Sequence, residues 1–125
     1  MDLLDRQFEE LQRLYPDARI IRHPDGVATV SLPTFPLPAG WNASSIDVHF
    51  LVPLGYPMAR PDCFWTGIGL CLATGAPPSN TGQNNSHRLE EPKLWFSYHP
   101  ASWTPNADTL LTYTRVIDQR LRMVQ

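Results

Sequence analysis

Cys71, His99 and Ser97 are the residues whose types could carry chemistry in this chain. Cys71 sits in GIGLCLATG, Gly67 to Gly75, a short apolar run fenced by glycines. A thiolate attacks a carbonyl readily and leaves readily, so an accessible Cys71 suits moving an acyl group between nucleophiles. Gly67, Gly69 and Gly75 would let an extended peptide tail approach the backbone, since no side chain stands in its way. The same run also reads as a buried segment whose cysteine only packs, because a free thiol is among the most buried groups in proteins. His99, in FSYHPASW, titrates near neutrality and suits taking a proton from an incoming amine; equally, it suits anchoring loop carbonyls. Ser97 is the alternative nucleophile and would form an oxyester in place of a thioester. Cys63, between Asp62 and Phe64, reads as a core strand cysteine. His23, His49 and His87 share no metal-ligand spacing with one another or with the cysteines, so neither a metal nor a cofactor is expected.

The elements that must position these residues follow from periodicity. Leu4, Phe8, Leu11 and Tyr15 recur at three- and four-residue intervals, which predicts an amphipathic helix over 2–15, stopped by Pro16. ARIIR and VATVSL, joined by His23-Pro24-Asp25-Gly26, predict a hairpin. In SIDVHFLVP, Ile46, Val48, Phe50 and Val52 alternate with Asp47, His49 and Leu51, as in a third strand covered on one face. DCFW is a short fourth strand, and GLCLA is a strand or a loop. From Ala73 to Lys93 the chain has no period and few apolar residues, which predicts a long loop acting as a mobile lid. After LWFSYHPASW, Thr104 with Pro105 predicts the cap and first position of a second helix, whose apolar face is Leu110, Tyr113, Ile117, Leu121 and Val124. Trp95, Phe96, Tyr98 and Trp103 read chiefly as core filling between sheet and helix. The order is α+β: an antiparallel meander between an N-terminal and a C-terminal helix.

Composition narrows the function classes. At 125 residues and 42% hydrophobic content, the chain reads as one domain over 1–125. A net charge of −2, from 10 basic and 12 acidic residues, offers no field for phosphates, so nucleic acid is not an expected partner. The start MDLLDRQFEELQRLY is acidic where a signal peptide is basic, and there is no long apolar run, so a cytoplasmic protein without a membrane partner is expected. The Cys63 and Cys71 spacing is neither a C-x-x-C pair nor a disulfide framework, which leaves two free thiols. The 13 prolines are scattered and form no repeat.

Two segments carry a resemblance to a known family. VPLGYPMARPDCFW resembles the ubiquitin-conjugating (E2) signature in which a strand ends in P-x-x-Y-P and continues through a proline into the next strand. WTPNADTLLTYTRVIDQRL is similar to the W-S-P-A segment and leucine-rich helix of that superfamily, in the same order. The likeness runs from the first helix to the last and is greatest to a divergent bacterial branch, prokaryotic E2 family E. It implies an E2/UBC-like fold and a conjugating transferase. Such a protein would accept the C-terminus of a ubiquitin-like modifier from an E1-like adenylating enzyme as a thioester and pass it to an amine; a JAB-type peptidase is a further implied partner. The H-P-N tripeptide of most E2 proteins is missing, with NNSHR at Asn84 to Arg88 the nearest polar cluster, and the family's cysteine register falls on Trp95. The bacterial branch is described by a histidine C-terminal to its cysteine, an order that Cys71 and His99 satisfy. The resemblance also implies docking of the first helix on the E1, here through a face carrying Asp2, Asp5, Glu9 and Glu10 beside Arg6 and Arg13. The alternative is a catalytically inactive E2 variant that holds a ubiquitin-like protein or an E1 as a scaffold. A cysteine hydrolase ranks last, because CLATGAPPSN does not begin a helix.

Overall fold

A computed structural model describes residues 2–83 and 88–125. In chain order the elements are α1 (Leu3–Leu14), β1 (Arg19–Arg22), β2 (Ala28–Pro36), β3 (Ser45–Val52), β4 (Phe64–Thr66), β5 (Thr81–Gln83), β6 (Leu94–Phe96) and α2 (Leu110–Arg122). All six strands pair antiparallel in one sheet ordered β1-β2-β3-β4-β6-β5. The α+β, E2/UBC-like architecture of two helices flanking an antiparallel sheet is therefore present.

The period-two pattern decides the faces. Val30 and Leu32 of β2, Val48, Phe50 and Val52 of β3, Phe64 of β4 and Phe96 of β6 are buried in one cluster with Leu110, Tyr113, Ile117 and Leu121 of α2. Phe8 and Leu11 of α1 join the same cluster. Gln7 ties the two helices together, its Oε1 accepting from the Leu110 N–H at 3.1 Å and from the Tyr56 hydroxyl at 2.5 Å. The opposite face carries a row that reads Arg19, Ser31, His49, Trp65, Trp95 and Gly82 across the sheet. In β2 the register slips between Leu32 and Phe35, around Pro33, which has no N–H for the ladder.

Several boundaries differ from the sequence-based expectation. The second helix starts at Leu110, capped by Thr109, whose hydroxyl accepts from the Thr112 N–H. Thr104 and Pro105 instead form a separate turn: the Asp108 N–H closes on the Thr104 carbonyl at 2.8 Å, and the Asp108 carboxylate accepts from the Thr104 N–H at 2.6 Å. Competition from Asp108 explains why the earlier capping sequence does not start the helix. LWF pairs as β6, and β5 lies inside the segment expected to be one loop; Asn84 to His87, including most of the NNSHR cluster, lie outside the described residues. The aromatic cluster divides. Phe96 is in the core, stacked on Phe64 at 4.7 Å, while Trp103 is half-buried and donates from Nε1 to the Pro57 carbonyl.

Candidate active site

GIGLCLATG is neither a strand nor a free loop, because its backbone is pinned along Gly40–Asn42. The Ala73 N–H donates to the Gly40 carbonyl at 2.8 Å, and Leu72 forms a single antiparallel bridge with Trp41. Asn42 makes the largest contribution. Its N–H donates to the Cys71 carbonyl at 2.9 Å, its Oδ1 accepts from the Cys71 N–H at 3.1 Å, and its Nδ2 donates to the Gly69 carbonyl at 2.9 Å. Leu70, buried in the core, and Trp41, whose indole donates to the Leu121 carbonyl at 2.7 Å, anchor both sides of this junction. Cys71 is left half-buried and free.

The glycines around it differ in their surroundings. A Cβ on Gly67 would collide with the Asp47 carboxylate at 2.6 Å, whereas Gly69 and Gly75 face open space. Gly75 closes a tight turn onto the Leu72 carbonyl with φ +91°, a conformation that favours glycine. The backbone flanking Cys71 is thus open on its Gly69 and Gly75 sides.

His99 belongs to a different group. Its Nδ1 lies 3.5 Å from Asp62 Oδ1, with the imidazole 58% exposed. The Cys63 thiol lies 3.8 Å from that same carboxylate oxygen. Cys63 does not occupy a core strand as expected: it is half-buried, precedes β4 and has φ +62°. Its carbonyl accepts from the Tyr113 hydroxyl at 2.5 Å, and its N–H donates to the Tyr98 carbonyl at 3.0 Å. Burial, reinforced by the Asp62 charge, pushes the Cys63 thiol up from its ordinary pKa, so it is the thiol held back from ionising. Ser97 is exposed just beyond β6, its N–H bound to the Asn80 carbonyl at 2.9 Å.

Strand direction separates the two predicted partners. Cys71 follows the Thr66 end of β4, and His99 follows the Phe96 end of β6, which pairs with Phe64 at the other end of β4. Helix α2 spans the same separation: Tyr113 reaches the Cys63 end and Leu121 the Trp41 end, about 12 Å apart along a helix rising 1.5 Å per residue. The fold brings His99 to Asp62 and Cys63, and brings Asn42 to Cys71. Neither Asn42 nor Asp62 was singled out from the sequence. The Asn42 contact crosses 29 residues and carries no local motif, whereas Asp62 adjoins Cys63 and could have been flagged by adjacency.

Among the described residues no helix is long and apolar enough to cross a membrane. Comparison with curated proteins and with solved structures finds no match. The family model described as prokaryotic E2 family E matches residues 17–124, from the loop after α1 to the end of the chain's second helix and just beyond. With the P-x-x-Y-P strand end, the W-T-P segment and the helix-flanked meander all inside that span, the chain belongs to prokaryotic E2 family E.

Proposed function

We propose that this protein is the E2-like carrier of a bacterial ubiquitin-like conjugation system and that Cys71 is its acceptor. In this reading an E1-like enzyme presents the activated C-terminus of the modifier. The Cys71 thiolate attacks its carbonyl, the E1 leaving group departs, and the resulting thioester is later attacked by an amine. The observation that carries the reading is the presentation of Cys71 within an E2-family fold: a half-buried thiol in a loop held by Asn42, with open backbone at Gly69 and Gly75. A peptide tail can run along such a backbone without meeting side chains. A JAB-type peptidase that removes the modifier fits the same system.

The scaffold reading is favoured by one observation: His99 pairs with Asp62 at the far end of β4 and is not at the side of Cys71. The deciding experiment mixes the full chain with its cognate E1, modifier and ATP, followed by non-reducing electrophoresis. A modifier adduct that reductant removes, replaced in Cys71→Ser by a slower-forming, reductant-resistant one, supports the carrier. Binding of the modifier or E1 without any adduct supports the scaffold.

A further inference from the structure

The outer face of the sheet carries a hydrogen-bonded line of side chains for which conjugation has no use. His49 Nε2 lies 2.7 Å from Asp47 Oδ2, and His49 Nδ1 lies 2.7 Å from Ser31 Oγ. Lys93 Nζ donates to the same Asp47 oxygen at 2.9 Å. The His49 hydrogen bond and the Lys93 charge hold the Asp47 carboxyl well below the usual carboxylate range. An ionised carboxylate only accepts, so in neutral His49 the ring proton sits on Nε2. Nδ1 then presents its lone pair to the Ser31 hydroxyl. That is the arrangement of a serine nucleophile, its base and an orienting carboxylate, with the two ring nitrogens exchanged relative to the usual order.

The surroundings fit a site. Ser31, His49, Asp47 and Lys93 line a groove of about 720 Å³, with Ile21 and Leu89 among its apolar walls. Arg19, also on the groove, is the direct cross-strand neighbour of Ser31 on β1, while His49 is its neighbour on β3. Such neighbours stand about 5 Å apart, so a cation flanks the serine opposite its base.

We propose that this groove is an esterolytic site in which Ser31 is the nucleophile and the substrate is a small carboxylic ester or thioester. Ser31 Oγ bonds to the acyl carbon while its proton passes to His49 Nδ1. The bond to the leaving alcohol or thiol breaks, and that group takes the proton from His49. Water then attacks the acyl-Ser31 ester, giving its proton to His49; the acid is released and the serine hydroxyl is restored. Asp47 positions His49, Arg19 on the neighbouring strand adds positive charge beside the site, and Ile21 and Leu89 line the groove that receives the acyl chain.

The test treats the full chain with a fluorophosphonate probe and maps the adduct by peptide mass spectrometry, with 4-nitrophenyl acetate turnover in parallel. The expected result is a phosphonyl adduct on Ser31 and ester turnover that falls by on the order of 100-fold in both Ser31→Ala and His49→Ala. Asp47→Asn keeps the adduct but moves the pH midpoint of labelling downward, because the imidazolium loses its carboxylate; Arg19, Arg88, Lys93, Glu90 and Glu91 are the other charged residues lining that groove. Ser31→Cys, alkylated faster by iodoacetamide than Cys63 and Cys71 in the same molecule, provides a readout independent of the alanine variants' folding. Labelling only elsewhere, no labelling, or undiminished turnover in folded Ser31→Ala overturns the proposal.

Discussion

Asn42 grips Cys71 from both sides of its peptide unit, its Oδ1 accepting from the Cys71 N–H at 3.1 Å and its own N–H donating to the Cys71 carbonyl at 2.9 Å. A third bond, from Nδ2 to the Gly69 carbonyl at 2.9 Å, holds the loop before the cysteine. Asn42→Ala removes both side-chain bonds and keeps the backbone one. The expected outcome is a stability loss of about 1 kcal/mol, because the loop is partly solvated, together with a larger loss in the rate of modifier charging. Urea denaturation and single-turnover charging, measured on the same preparation, check the two parts. Charging that falls no more than stability predicts removes the positioning role of Asn42.

Under the carrier proposal, replacing Cys71 changes the chemistry of the adduct. Cys71→Ser is expected to convert a reductant-sensitive adduct into a base-labile, reductant-resistant one formed more slowly, since an oxyester replaces a thioester. Ser97→Ala should leave the wild-type adduct unchanged. The reverse pattern, with Ser97→Ala abolishing the adduct and Cys71→Ser keeping it unaltered, makes Ser97 the acceptor.

Asp47 ties β3 to the segment entering β6 through Lys93, and its side chain is 29% exposed. Its carboxyl is depressed in the folded chain, so its contribution is complete above the unfolded value of about 3.9 and is lost as pH falls through the folded value. Asp47→Asn should therefore cost about 1–2 kcal/mol at pH 7, with the gap to wild type narrowing between about pH 4 and pH 2. Urea midpoints across that range measure it. A gap that is the same at both ends contradicts the assignment.

The acidic face of α1 is smaller than its sequence suggests. Asp2 and Asp5 are engaged by Arg22 at 2.9 and 2.7 Å, which leaves Glu9 and Glu10 as the carboxylates of that face not paired with Arg22. If this helix meets a basic E1 surface, Glu9→Lys with Glu10→Lys should weaken E1 binding at low salt and matter less at high salt, where rim charges are screened. Affinity unchanged at low salt excludes the helix as the contact.

The two threonines before α2 are separable. Thr109→Ala should destabilise the chain by about 1 kcal/mol through loss of the cap, as thermal melting reads it. Thr104→Ala should cost less, because Thr104 meets Asp108 through its backbone N–H, which alanine retains.

The helix faces and the first three strands were legible because each rests on a local period. Leu4, Phe8 and Leu11 repeat with the helix, and Val48, Phe50 and Val52 alternate with the strand, and both patterns mark residues that lie in the core or, for Leu4, pack against it. The P-x-x-Y-P and W-T-P segments likewise carried the family in short, ordered stretches that need no coordinates. Of the three-residue strands, β4 was expected from DCFW, whereas β5 and β6 were not legible: they have too few positions for a period, and their extension comes from pairing with each other and with β4. Nor could the candidate sites be assembled from the chain alone. Cys71 and His99 stand in a suggestive order, yet antiparallel pairing sends them to opposite ends of β4. The partners that do meet, Asn42 with Cys71 and Ser31 with His49, are joined across loops or strand register, and side-chain hydrogen bonds of that kind leave no local periodic mark.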